Sequence, residues 1–354
     1  MISVKVGKLE LGEGQELLFV AELGTCYDGD VETAKLLLRK ASEAGAQLAK
    51  LECFIPEDVY RLKEMARATI TFATADGPTE SDYLTHLRTK VMSLSQYEEI
   101  FRYSAEIGLP CFATVYDLEM MRRIKSFGAV AAKIASCNAI HLPLIEEAGK
   151  LELPLFLDTN HSLLDTLAQA VYTAEGASVP GMILMHNPIG PRPTPPELHH
   201  FLVMQSYKEI FDIPVGFTCH YRGDEMMIAA AALGANVIEK PISLDPETRD
   251  NEYVYSIQID KFKDVIRQCR NASLARGKAR LDQTDMPQFV LERMSPCANT
   301  EIRKGERLSL ANVSFKRPCS EITPEFWRQM ANRRVQVDLE PDQLIEWGHL
   351  ECDS

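Results

Sequence analysis

Ionisable and hydroxyl side chains recur along this chain in one kind of place, directly after a short apolar run. Leu17-Leu18-Phe19-Val20-Ala21 leads into Glu22, Gln47-Leu48-Ala49 into Lys50, and Cys111-Phe112-Ala113 into Thr114. Val130-Ala131-Ala132 precedes Lys133, with Ser136 just beyond, and Leu155-Phe156-Leu157 precedes Asp158. Met182-Ile183-Leu184-Met185 ends at His186, Val215-Gly216-Phe217 is followed by Thr218, Cys219 and His220, and Val237-Ile238 by Glu239 and Lys240. Lysine is almost never fully buried without a partner. Lys50 and Lys133, each set against a buried run, therefore point to a site for an anionic small molecule bearing phosphate or carboxylate. The alternative is a pair of internal salt bridges to Glu22 or Glu239. His220 is either a metal ligand or a hydrogen-bonded polar residue, and His186 carries a weaker version of the same choice. His199 and His200 fall in a predicted helix and are expected to face solvent. Cys26, Cys137 and Cys219 lie near the same strand ends, but no base is matched to them, so a thiol nucleophile is not supported. A Schiff-base aldolase using Lys133 fits these residues as well as a phosphate-handling enzyme does.

For these groups to meet, the apolar runs must be strands of one sheet with their carboxyl ends together. Bounded by Gly, Pro or Asn, the runs read as buried parallel strands, and stretches of helical period separate them. Eight such units between about Leu17 and Ala275 specify a closed (β/α)₈ TIM barrel, in which functional residues cluster at the carboxyl ends of the strands. Val31 to Ala44 places Ala34, Leu37, Leu38 and Ala41 on one helical face, with Asp30 as its cap and Gly45 as its stop. Met226 to Leu233 is a small-residue helix ending at Gly234. Residues 56–90 form a long excursion, including Ala75-Asp76-Gly77-Pro78, of the kind that covers a barrel mouth. Residues 187–196, rich in Pro and Gly, form a rigid loop there. The barrel is assigned to 1–280, with a short N-terminal strand or hairpin, and a polar linker to 281–288. A small β-rich domain is assigned to 289–354, with a turn at Arg303-Lys304-Gly305-Glu306 and a short helix near Pro324–Ala331.

The chain has 354 residues, more than one ordinary core accommodates, and a formal net charge of −13. That excess repels nucleic acid and anionic lipid, so neither is an expected partner. No apolar run reaches the roughly 18 residues of a membrane span. The start, Met1-Ile2-Ser3-Val4-Lys5-Val6, has no signal-peptide core. The nine cysteines are scattered, without a C-x-x-C. A cytoplasmic location is expected.

Several segments, in order, resemble the sialic acid (N-acetylneuraminate) synthase family. Phe19-Val20-Ala21-Glu22-Leu23-Gly24 with Asp28-Gly29-Asp30 is similar to its AEIGxNHNGD, and Ala49-Lys50-Leu51-Glu52 to its VKFQ. Lys133-Ile134-Ala135-Ser136 matches KIAS, and Pro193-Thr194-Pro195-Pro196-Glu197 matches PTPPE. Val215-Gly216-Phe217-Thr218-Cys219-His220 resembles VGYSDH, and Ala232-Leu233-Gly234-Ala235 with Ile238-Glu239-Lys240 resembles ALGAxxIEK. Ile302-Arg303-Lys304-Gly305-Glu306 and Lys316-Arg317-Pro318 resemble motifs of the antifreeze-like (SAF, β-clip) domain. The resemblance implies a transferase of carbohydrate biosynthesis that condenses phosphoenolpyruvate with the aldehyde of an N-acetylated amino sugar. The product is a 3-deoxy-2-keto sugar acid, and a divalent ion, Mn²⁺ or Mg²⁺, polarises the aldehyde. It also implies a homodimer in which each small domain caps the partner's barrel. Lys50, Thr114, Lys133, Ser136 and Thr218 would hold phosphoenolpyruvate, Glu22 would be an acid/base or orienting carboxylate, and His220 a metal ligand. Glu252 stands for a carboxylate near the aldehyde, and Arg317, from the partner subunit, would reach the acyl group.

Other positions depart from the pattern. Pro241 replaces the family's second metal histidine, which leaves the ion weakly held or absent unless Glu239 or Cys219 substitutes. Cys137-Asn138 replaces the Gly-Glu that grips the sugar, and Asp158 replaces a phosphate-binding serine. Arg192 sits where substrate contacts of the family are lost, and can pair with Asp158. His186 is kept as a substrate-side candidate. The expectation is a synthase with an altered acceptor; a non-catalytic binding or scaffold homologue and the Lys133 aldolase are the alternatives.

Overall fold

A computed structural model describes residues 3–74, 77–190, 192–244, 251–280 and 289–351. The chain divides into two compact units, 1–276 and 277–354. The expected linker 281–288 and Ala75-Asp76 lie outside the described residues.

The first unit is a closed barrel of eight parallel strands: β1 (Leu18–Gly24), β2 (Leu48–Glu52), β3 (Cys111–Val115), β4 (Ala132–Ile134), β5 (Leu155–Asp158), β6 (Met182–His186), β7 (Val215–Thr218) and β8 (Val237–Ser243). Each pairs with the next, and β8 closes on β1 from Val237 opposite Leu18 to Pro241 opposite Glu22. Helices follow the strands. The first, Val31–Ala44, is capped by Asp30, which accepts from the Thr33 N–H, and ends at Gly45 in the left-handed region (φ 96°). It buries Ala34, Leu37, Leu38 and Ala41, the face the spacing predicts.

Side chains two apart on a strand share a face, so each strand sends one parity inward and the other toward the helices. Leu18, Val20, Leu48, Phe112, Ala131, Phe156, Ile183, Met185 and Val237 fill the lower interior, with Phe112 and Phe156 stacked 4.6 Å apart. A hairpin of Val4–Val6 and Leu9–Leu11 plugs this end, adding Val4, Val6 and Leu11 to the same cluster. The opposite parity, including Phe19, Ala21, Leu51, Ala113, Leu157, Leu184 and Phe217, packs under the helices.

Between β2 and β3 the long excursion is folded rather than a bare loop. It contains short helices Pro56–Val59 and Leu62–Met65, a hairpin of Thr69–Thr74 with Gly77–Asp82, and helix Tyr83–Arg88. In the second unit Ser295–Ala298 pairs antiparallel with Val313–Lys316. Isolated bridges such as Ile302–Leu339 and Val335–Leu350 join the rest over an apolar core of its own. Phe289–Glu292 forms a short helix at its start, and Pro324–Phe326 with Trp327–Met330 forms the helical stretch that the sequence places near Pro324–Ala331.

The hairpin plug is testable. Leu11 is fully buried, so Leu11→Ala is expected to cost about 2–5 kcal/mol in chemical unfolding, through lost burial and a cavity beneath the barrel. A loss under about 0.5 kcal/mol would show that the plug does not support the barrel.

Candidate active site

Above the apolar layers, the same inward parity brings up Glu22, Lys50, Thr114, Lys133, Asp158, Thr218 and Glu239, all buried. A buried ammonium is costly unless it is paired and hydrogen-bonded. Lys50 Nζ is paired with Glu22 Oε1, lies 3.4 Å from Glu239 Oε1 and 4.0 Å from Glu52 Oε1, and donates to Thr114 Oγ1 at 3.1 Å. Lys133 Nζ donates to Glu239 Oε1 at 2.5 Å and Thr218 Oγ1 at 3.3 Å, and stands 3.5 Å from Asp158 Oδ2. Glu239, with no exposed surface, thus bridges both lysines. Burial alone would raise the Glu239 carboxyl, but the two lysines outweigh it and hold it at about 2. Glu22 is pushed up to about 7, first by burial and then by Glu239 and Glu52, against the pull of Lys50. Burial opposes the charge on Lys50, yet Glu22, Glu239 and Glu52 raise it above the ordinary lysine range. The layer therefore contains a firmly ionised carboxylate beside one that exchanges its proton near neutrality.

The cluster opens on a cavity of about 270 Å³, whose walls also include Ser136, Cys137, His161, Arg192, His220 and Glu252. His220 is buried and its imidazole is held well below the usual range, by burial and by Arg192, Lys133 and Lys50. Asn187 fixes its tautomer. The Asn187 Nδ2 donates to Asp158 Oδ2 at 2.8 Å, so its Oδ1 faces His220 Nδ1 at 3.0 Å and accepts from it. Nε2 is left as the unprotonated nitrogen. Glu252 is locked at the end of β1: its Oε2 accepts from the Thr25 N–H at 2.7 Å and the Thr25 hydroxyl at 2.9 Å. Gly24, at φ +52°, leaves the space this needs, since a Cβ there would collide with Glu252 Oε2. A second chamber of about 480 Å³ shares Glu52, Tyr116, Arg192 and Glu252 with the first. Phe54, Tyr60, Tyr83 and Tyr116 line it, packed edge to face, with Tyr60 and Tyr83 at 5.8 Å and Phe54 and Tyr116 at 5.6 Å.

The NeuB family model matches residues 37–280. The chain belongs to the NeuB family. A SAF domain model matches residues 297–351. Among relatives of this NeuB protein, an uncharacterised protein of Methanocaldococcus jannaschii is 29% identical, covering 99% of each chain. The N,N'-diacetyllegionaminic acid synthase of Campylobacter jejuni is 26% identical over 94% of this chain and 99% of its own. In fold it matches a spore coat polysaccharide biosynthesis protein E from Chromobacterium violaceum, with a TM-score of 0.74 at 21% identity over 95% of this chain and all of the other.

Not every expected residue of this NeuB chain enters the cavity. His186 and Lys240 lie on the outward parity of their strands. His186 packs against Phe201, Tyr207 and Phe217, with its Nε2 2.6 Å from the His199 carbonyl. This corrects its assignment to the substrate. Lys240 Nζ donates to the Tyr221 carbonyl and lies 3.5 Å from Cys219 Sγ, so Lys240 and Cys219 both leave the mouth. His199 is buried against Phe201, Phe217 and Tyr221 rather than facing solvent, while His200 is exposed. Cys137 lines the cavity, whereas Asn138 sits on the short helical turn Ser136–Asn138, outside that lining. Arg317 is an exposed residue of the second unit. The donor set does not fit the ion that the resemblance implies. His220 offers one nitrogen, Pro241 offers none, Glu239 is held by two lysines, and Cys219 is turned away. Among the described residues, no group of three or more His, Cys, Asp and Glu is arranged to hold a metal. Asn187 and the tyrosines of the second chamber escaped the sequence reading. The one signal for Asn187 was its place two residues past the sixth apolar run, next to His186.

The Glu22 proton gives a stability signature. Its pKa is about 7 in the folded protein against an ordinary 4.5, so the native state binds more protons between those values. Its contribution therefore falls as pH rises from 4.5 through 7. Glu22→Gln should remove that fall, so its melting temperature relative to wild type rises across this interval; a pH-independent difference would refute the assignment.

Proposed function

We propose that the protein condenses phosphoenolpyruvate with an aldehyde sugar to give a 3-deoxy-2-keto sugar acid and inorganic phosphate. The observation that carries this reading is the pair of buried lysines at the mouth of a NeuB-family barrel, opening on a cavity between Ser136 and Arg192. Cationic and hydroxyl donors in a low-dielectric cleft suit a ligand with both carboxylate and phosphate. In this reading Lys50, Thr114, Lys133, Ser136 and Thr218 bind the donor, and the tyrosine-walled chamber takes the acceptor, with Glu252 and Arg192 at the junction. C3 of phosphoenolpyruvate attacks the aldehyde carbon, and Glu22 in its protonated form supplies a proton to the resulting alkoxide. Water then adds at C2, losing one proton to Glu22 or to neutral His220, and phosphate departs with cleavage of the C2–O bond, carrying the proton of the new C2 hydroxyl as the 2-keto group forms.

The acceptor is altered in this reading, because Cys137-Asn138 replaces the Gly-Glu by which the resembled family grips the sugar, and aromatic rings wall the second chamber. A homodimer in which Arg317 of one subunit reaches the barrel of the other belongs to the same proposal, and sedimentation equilibrium reads its mass. No helix among the described residues is long and apolar enough to cross a membrane.

Calorimetric titration with phosphoenolpyruvate, beside a Lys50→Ala, Lys133→Ala double variant, tests the donor site. Binding in the micromolar to sub-millimolar range (about −5 to −8 kcal/mol) that disappears in the double variant is expected. No binding under any condition would favour a binding or scaffold role. A Schiff base on Lys133 would have to break its contacts with Glu239, Asp158 and Thr218. Borohydride trapping of a carbonyl substrate on Lys133 would displace the condensing reading.

A further inference from the structure

We infer that Asp158 is a built-in stand-in for the donor's phosphate, occupying the phosphate end of the cavity until a phosphorylated ligand displaces it. The inference rests on the donor reading above.

The cavity is too acidic to receive a multiply charged anion as it stands. Glu22, Glu52, Asp158, Glu239 and Glu252 line it, against Lys50, Lys133 and Arg192. A phosphorylated carboxylate adds at least two further negative charges, and like charges brought together in such a site cost several kcal/mol. One carboxylate has to give way, and the geometry distinguishes them. Glu239 has no exposed surface and bridges both lysines, so its departure would leave two buried ammonium groups without their shared partner. Glu22 is paired with Lys50, and Glu252 is fixed by two donors of Thr25. Glu52 is the more exposed and stands 4.0 Å from Lys50 Nζ, but its hydrogen-bond donor is the Tyr116 hydroxyl at 3.3 Å, so its departure would vacate no ammonium–amide cradle for a phosphate.

Asp158 differs from all of these. It stands at the end of β5, 3.5 Å from Lys133 Nζ, which keeps its closer contact with Glu239 at 2.5 Å. Its other donors are neutral: Asn187 Nδ2 at 2.8 Å and the Asn160 N–H at 3.3 Å. An ammonium, a side-chain amide and a backbone N–H are the donors that a phosphoryl group uses. The three groups that hold this carboxylate are thus a ready phosphate cradle, which the protein fills itself. Because Asn187 also accepts from His220 Nδ1, a phosphate that replaces the Asp158 carboxylate keeps Asn187 in place. His220 then retains its neutral tautomer when the donor arrives.

The test compares wild type with Asp158→Ser and Asp158→Asn by calorimetric titration, using phosphoenolpyruvate, inorganic phosphate and pyruvate as separate probes. The asparagine variant keeps the shape of the side chain, and thermal unfolding checks that each variant folds. Both variants are expected to bind phosphoenolpyruvate and inorganic phosphate about tenfold or more tightly than wild type, with pyruvate unchanged. If wild type binds phosphoenolpyruvate and the variants bind it equally or more weakly, the inference falls and the donor reading stands. An equal gain for pyruvate also overturns it, since Asp158 would then repel anions in general. If phosphoenolpyruvate binds nowhere but the variants gain affinity for inorganic phosphate, the donor reading falls and the cradle stands. No binding of any probe removes both.

Discussion

Two ammonium groups placed over an apolar interior are the constraint on which the rest of this barrel depends. Lys50 and Lys133 are each 2% exposed, and beneath them lie phenylalanines and aliphatic side chains with no polar group to offer. Among the described residues their compensation comes from the carboxylates and hydroxyls of the same layer and from Glu52 just above it. Glu239 serves both, and it does so only because β8 is registered between β7 and β1. Slipping that strand by one residue would turn Glu239 toward the helices and bring Lys240 inward, adding a third cation where a carboxylate is needed. Closure of the barrel and neutralisation of its lysines are therefore one condition. The hairpin plug serves the same end from below, by keeping water from the apolar layers.

A pocket for an anion that contains more carboxylates than cations resolves into a division of roles. Glu239 is structural, ionised and immovable. Glu22 shares the burial, and there Glu239 and Glu52 oppose the pull of Lys50 and Lys133, which leaves its proton exchangeable near neutrality. Asp158 is held mainly by neutral donors at the rim. The same chemical group in different electrostatic surroundings thus gives a fixed counter-ion in Glu239 and an exchangeable proton in Glu22, and the replaceable anion we infer in Asp158 would be a third use of it. His220 completes the set, kept neutral by the cations around it and oriented by Asn187.

The excursion between β2 and β3 adds what the barrel lacks. Tyr60 follows its first short helix and Tyr83 opens its last, and with Phe54 and Tyr116 they wall a second chamber beside the charged one. Aromatic rings offer flat, weakly polar faces that suit the C–H face of a sugar, while Glu52, Glu252 and Arg192 at the junction suit its hydroxyl groups. Gly24 couples this chamber to the barrel, because the turn after β1 closes on Glu252 only where no Cβ intervenes.

Much of this was legible in the residues alone. Eight apolar runs, each followed by a polar residue, fixed the barrel and the identity of its upper layer, because strand ends in a closed parallel sheet share one mouth. The capped helix Val31–Ala44 and the SAF motifs were equally local signals. What the sequence could not decide was direction. His186 and Glu239 both follow apolar runs, yet one faces the helices and the other the lumen, since a single residue of register reverses the face of every side chain. Nor could it decide partnership. The internal salt bridges expected of Lys50 and Lys133 form with Glu22 and Glu239, and the same carboxylates line the cavity that the proposed function gives to an anion. Asn187, barely signalled in sequence, acquires its part only where β5, β6 and β7 bring Asp158 and His220 within hydrogen-bonding reach of one amide, and that proximity is set by the pairing of three neighbouring strands.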